Sequence, residues 1–94
     1  MDRLGALRVT TLGAQAEMAL VRRDPVAAPL LAQAARAAGE EVCAALLDQA
    51  ATLVRVHGVG GEDGPARARR KAAQALVRSA SQRAQAVLLG GAPA

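Results

Sequence analysis

Apolar side chains recur along this chain at steps of three and four residues, the spacing of one face of an α-helix, and the residue that most often fills those steps is alanine. Alanine is the strongest helix former and the apolar residue that buries least area. The chain holds 25 Ala against 12 Leu, 9 Val, 2 Met and 1 Cys, with no Ile, Phe, Tyr or Trp, so it is driven towards helix and has little bulk with which to fill a core. An all-α fold follows. At 94 residues it is one domain at most, and a chain this short is marginally stable unless a disulfide, a metal or a partner is added. Cys43 alone makes no internal disulfide, and His57 alone anchors no zinc site. No cofactor or metal is expected, and a partner chain is left as the addition.

Punctuation divides the chain into three expected helices at about 3–22, 26–57 and 65–89, a single helical domain over 1–91 with a frayed tail at 92–94. The first two are expected to form an antiparallel helical hairpin, joined through Arg22-Arg23-Asp24-Pro25. Pro29 lacks the N–H of an inner helical position, so the long central helix either starts near it or bends there. The segment 58–64 carries four glycines and reads as a flexible loop, with Gly58 ending the second helix and Pro65 opening the third. Gly5 and Gly13 are unfavourable inside the first helix, each by up to ~1 kcal/mol relative to Ala.

Charge is unevenly spread. Residues 1–63 carry six basic and eight acidic side chains, whereas residues 64–94 carry six basic and none acidic. Arg67, Lys71 and Arg78 gather on one side of the third helix with Arg70 nearby, a set able to contact phosphates and the basis of a nucleic-acid-binding reading. Against it, eleven of the twelve cations are Arg, as a GC-rich bacterial coding bias produces, and no aromatic is interleaved to stack on bases. A helix-turn-helix across Ala35, Gly39 and Ala45 fails because Glu40 and Asp48 would occupy buried positions. The third helix lacks the Trp or Phe of a membrane-surface helix, and no run approaches the ~18 apolar residues of a transmembrane span. With a single cysteine and no apolar leader, a cytoplasmic location is expected.

Catalysis has little to stand on. Cys43 and His57 are 14 positions apart, about 21 Å along one helix at ~1.5 Å per residue, too far for a nucleophile and its base. Glu40 and Glu41 are adjacent and diverge. Gly58-Val59-Gly60-Gly61 lacks the Lys-Ser/Thr of a phosphate loop. No catalytic residue is assigned and a non-enzymatic protein is expected.

The remaining feature is surplus apolar surface. In the first helix one stripe runs through Leu4, Leu7, Thr11, Ala14, Met18 and Val21, and a second through Val9, Leu12, Ala16 and Leu20 lies about 180° around. In the second helix a main stripe runs from Leu31 through Ala35, Ala38, Val42, Leu46, Gln49 and Leu53 to Val56. From its middle onward a second appears at Cys43, Leu47, Ala50 and Val54. A three-helix bundle needs one stripe per helix, so the second stripes need cover: a middle helix sandwiched between the other two would cover its own but not that of the first helix, and a partner is expected to cover them. The expected function is helix-mediated assembly, with itself or another protein, through Val9, Leu12, Ala16, Leu20, Leu47 and Val54.

Overall fold

The structure, a computed structural model, describes residues 1–90; the expected tail at 92–94 lies outside the described residues. It has four helices, α1 (Arg3–Val21), α2 (Ala27–Ala38), α3 (Glu41–His57) and α4 (Gly64–Leu88). The all-α expectation holds, but the single long central helix does not: it is broken into α2 and α3.

The break has a local cause. Gly39 adopts φ +65°, the left-handed conformation that ends a helix and that glycine enters without a Cβ penalty. Glu40 is extended and caps the next helix, its carboxylate accepting from the backbone N–H of Cys43 at 2.7 Å and of Val42 at 3.3 Å. The other joints are built from similar parts. Asp2 caps α1 by accepting from Gly5 N at 2.6 Å, and Asp63 caps α4 by accepting from Ala66 N at 2.8 Å. Pro65 sits in the first turn of α4, where a missing N–H costs nothing. Pro29 lies in the first turn of α2, which starts near it at Ala27, the first of the two expected alternatives.

Each helix packs on two neighbours, α1 on α2 and α4, and α3 on α2 and α4, giving a bundle of 43 × 19 × 19 Å. Neighbours run antiparallel: Gly5 of α1 lies against Ala37 and Ala38 at the end of α2, Cys43 of α3 against Ala80 of α4, and the Arg3 guanidinium reaches the Leu88 carbonyl at 3.1 Å. The glycines of α1 lie on its inner face, Gly5 against α2 and Gly13 against α4. A Cβ on Gly5 would stand 2.8 Å from the Ala37 carbonyl oxygen, and one on Gly13 would stand 2.8 Å from Ser81 Oγ of α4.

The core is mostly alanine. Its largest fully buried side chains are Leu20, Leu31, Leu47, Val9, Val77 and Cys43. Small side chains let backbones approach closely, which is how a chain without aromatics reaches a filled interior.

The loop between α3 and α4 is pinned. The Arg70 guanidinium donates to the carbonyls of Val59, Gly60 and Gly61 at 3.2, 3.1 and 2.7 Å, and Val59 tucks into the core. The flexibility expected from four glycines is countered by these bonds, and α4 docks on its own chain.

Candidate functional site

The two stripes of α1 exchange roles. Val9, Ala16 and Leu20, assigned to a partner, are buried in the core of this chain, and Leu12 is half-buried against it. Leu4, Leu7, Met18 and Val21, assigned to the core, face solvent at 56, 53, 54 and 72% exposure, with Thr11 and Ala14 exposed between them. The physical reason is steric. Gly5 and Gly13 flank Val9 on the helix surface, and the side bearing the glycines and small alanines lets α2 and α4 close in.

The same correction applies to the second expected helix. In α2 the main stripe is the inner one, with Leu31, Ala35 and Ala38 buried. In α3 the second stripe takes over: Cys43, Leu47, Ala50 and Val54 are buried, while Val42 and Val56 are exposed. Leu47 and Val54 are therefore core residues. The turn at Gly39–Glu40 resets the helical phase, so two stripes that would lie on different sides of one helix both face the same interior. Ala45 is on the solvent side of α3, not buried as a helix-turn-helix requires.

Half of the large exposed apolar side chains thus fall on one line along α1. Leu4, Leu7, Thr11, Ala14, Met18 and Val21 follow the 3-4-3-4-3 spacing of a coiled-coil seam, directly opposite the buried Val9–Ala16–Leu20 line. Arg8, Gln15 and Arg22 border the seam on one side, and Arg3, Thr10 and Glu17 on the other. Beside it a groove of about 610 Å³ runs between α1 and α2, lined by Leu7, Thr11, Leu12 and Ala37 with Arg8 and Arg36 at its rims.

The basic residues of α4 divide into committed and free. Arg70 holds the loop carbonyls. Arg78 pairs with Glu17 of α1 at 2.8 Å, and Arg83 pairs with Glu40 at 2.9 Å. Arg83, foremost, and the Cys43 N–H hold the Glu40 carboxyl below the usual carboxylate range. Arg67 and Lys71 are exposed and make no ion pair among the described residues. With Leu20, Val21, Arg23, Arg70 and Gln74 they line a shallow depression between α1 and α4, where Arg23 is already paired with Glu62 at 2.9 Å.

Cys43 is fully buried, and burial, before the nearby Glu40, pushes its thiol pKa up; the Sγ donates to the Ala80 carbonyl at 3.6 Å. His57 is exposed at the far end of α3. Among the described residues no group of three His, Cys, Asp or Glu side chains converges as a metal site would, and no helix is long and apolar enough to cross a membrane. No protein-family model, curated protein or solved structure matches the chain.

Proposed function

We propose that this chain is a helix-docking protein, a small regulator, chaperone or assembly subunit that works by packing the outer seam of α1 against another helix. One observation supports the reading above others: an unbroken 3-4-3-4-3 line of apolar and small side chains, its large members more than half exposed, on the face of α1 turned away from the bundle. Scattered exposed leucines are ordinary on a soluble protein, but an aligned set along a whole helix is the form in which a helix pairs with another helix.

The test is face-specific photocrosslinking in cells of the source organism. A benzoylphenylalanine placed at Thr11 is expected to give a discrete adduct that disappears when Leu7→Glu is added. The same probe at exposed Gln82 of α4 is expected to give none. An adduct indifferent to Leu7→Glu, or none at Thr11, overturns the reading.

A second reading rests on Arg67 and Lys71, the two of the four cations named from sequence that the fold leaves unengaged among the described residues. A nucleic-acid-binding chain that used them would contact about two phosphates, not the four counted from sequence, because Arg70 and Arg78 are engaged within the fold. Its binding to duplex DNA would fall with salt at a logarithmic slope of about −2, at ~0.9 per phosphate. Absence of binding at low salt removes it.

A further inference from the structure

We infer that the partner of the α1 seam is a second copy of this chain, with the two α1 helices packed antiparallel about a twofold axis passing between Leu12 and Gly13. The inference rests on the docking reading above and names its occupant.

The seam is symmetric about its own midpoint. Reversing α1 there lays Leu4 over Val21, Leu7 over Met18 and Thr11 over Ala14, each pair from opposite copies. Every layer then joins apolar or small side chains. The two outer layers at each end are built from large aliphatic residues that are more than half exposed in the single chain. The central layers are Thr11 against Ala14, small enough to let the helices approach.

Charge selects the same direction. In the antiparallel arrangement, side chains bordering the seam on one copy meet the same border of the other. Arg8 then faces Gln15 and Thr10 faces Glu17, so no two like charges meet along the helix. A parallel pair would set Arg3 of each copy beside Arg8 of the other, placing like charges together twice. It would also bring Arg22 beside Glu17, but that carboxylate is already held by Arg78 at 2.8 Å and has less to offer a second cation. The seam therefore meets its own reverse without like-charge contacts, and its own copy in the same direction with two of them.

The contact is limited in size. Four large side chains and two small ones on one helix cover roughly half of the ~800 Å² per partner that a standard interface buries, which sets the pair in the transient class. A dissociation constant on the order of micromolar is expected.

The experiment is charge complementation followed by solution mass across a concentration series. The native chain should rise from 9.5 kDa to twice that mass as concentration passes through the micromolar range. Leu7→Glu and Met18→Lys each place a charge in two layers and should each weaken association by at least about 100-fold, ~tenfold per layer. Helicity should be unchanged, since both positions are exposed. Mixing the two variants should restore the dimer mass. The glutamate introduced at position 7 of one chain then meets the lysine introduced at position 18 of the other, while the native Met18 and Leu7 meet as before. A parallel pair cannot be rescued in this way.

A mixture that stays monomeric while the native chain dimerises overturns the antiparallel register. A native chain monomeric at every concentration overturns self-pairing. If Thr11 still gives a seam-dependent adduct heavier or lighter than a dimer, self-pairing falls and the docking reading stands. If it gives no seam-dependent adduct, both fall.

Discussion

Gly5 and Gly13 lie on the same helix and would gain the same amount of helix propensity from alanine, about 1 kcal/mol each, yet the fold predicts opposite outcomes. At Gly5 the new methyl stands 2.8 Å from the Ala37 carbonyl oxygen and 3.3 Å from that of Ala38, both backbone atoms of α2, and 3.0 Å from the Asp2 carboxylate that caps α1. Backbone at the end of a packed helix yields only if α1 and α2 move apart, and overpacking of that kind costs about 1–3 kcal/mol. Disturbing the cap adds up to ~1 kcal/mol more. Gly5→Ala is expected to be destabilising by up to about 3 kcal/mol net. At Gly13 the obstacle is the Ser81 hydroxyl at 2.8 Å, with Val77 at an ordinary 3.5 Å. That hydroxyl is buried without a hydrogen-bond partner and can turn aside. Gly13→Ala should therefore be neutral or stabilising by up to ~1 kcal/mol. Combined with Ser81→Ala, which removes a buried unsatisfied hydroxyl worth about 1–3 kcal/mol, it should gain further. Urea titration followed by far-ultraviolet circular dichroism reads both effects as midpoint shifts at constant slope. Stabilisation at Gly5, or an equal loss at the two sites, would refute the claim that α1 meets α2 through backbone and α4 through a movable side chain.

Two further expectations follow from the same packing. At concentrations low enough to keep the chain monomeric, Leu20→Ala should cost about 2–5 kcal/mol and Leu7→Ala no more than about 0.5, because the first side chain is buried and the second is over half exposed; equal costs in chemical denaturation would contradict the assignment of the α1 faces. Glu40 both caps α3 and pairs with Arg83, which lowers its folded pKa, so its contribution is present above the unfolded value near ~4.3 and is lost as pH falls through the lower folded value. Glu40→Gln should accordingly lower the melting temperature at neutral pH, and the gap to the native chain should narrow as pH falls below the unfolded value and through the lower folded one. A gap constant with pH would show that the carboxylate's charge contributes nothing.

The helical nature of the chain is legible because period and propensity agree from end to end, and the stop at Gly58 acts where local chemistry places it. The break at Gly39 was visible only indirectly. A stripe that fades while another begins at Cys43 is what two helices of different phase leave in a sequence, but it also describes one helix packed on two sides. Glutamate is a poor advertisement for an N-cap, since Ser, Thr, Asp and Asn dominate that position. In α1 the stripe with continuous three-four spacing reads as the packed face, whereas the structure buries the other stripe. The signal that would have reversed it lay in Gly5 and Gly13, which mark the face where helices touch. Among the cations, nothing local announces that Arg70 bends back to the loop carbonyls or that Arg78 meets Glu17, 61 positions earlier, because both are tertiary contacts.

In α1 the arrangement of bulk is itself informative. Its inner face is built from Gly5, Ala6, Val9, Gly13, Ala16, Ala19 and Leu20, and its outer face from Leu4, Leu7, Met18 and Val21. A monomer serving only its own core would gain from the opposite placement, since each large aliphatic side chain moved from water to the interior stabilises by about 1.5–3 kcal/mol. The close approach of α2 and α4 forbids large residues inside, which explains the small ones there but does not explain why large ones stand outside, where Gln, Lys or Glu would serve the helix as well. Their regular spacing removes chance scatter as a sufficient account. The proposed second helix covering that line would account for it, and a line that matches its own reverse needs no other chain to supply that helix.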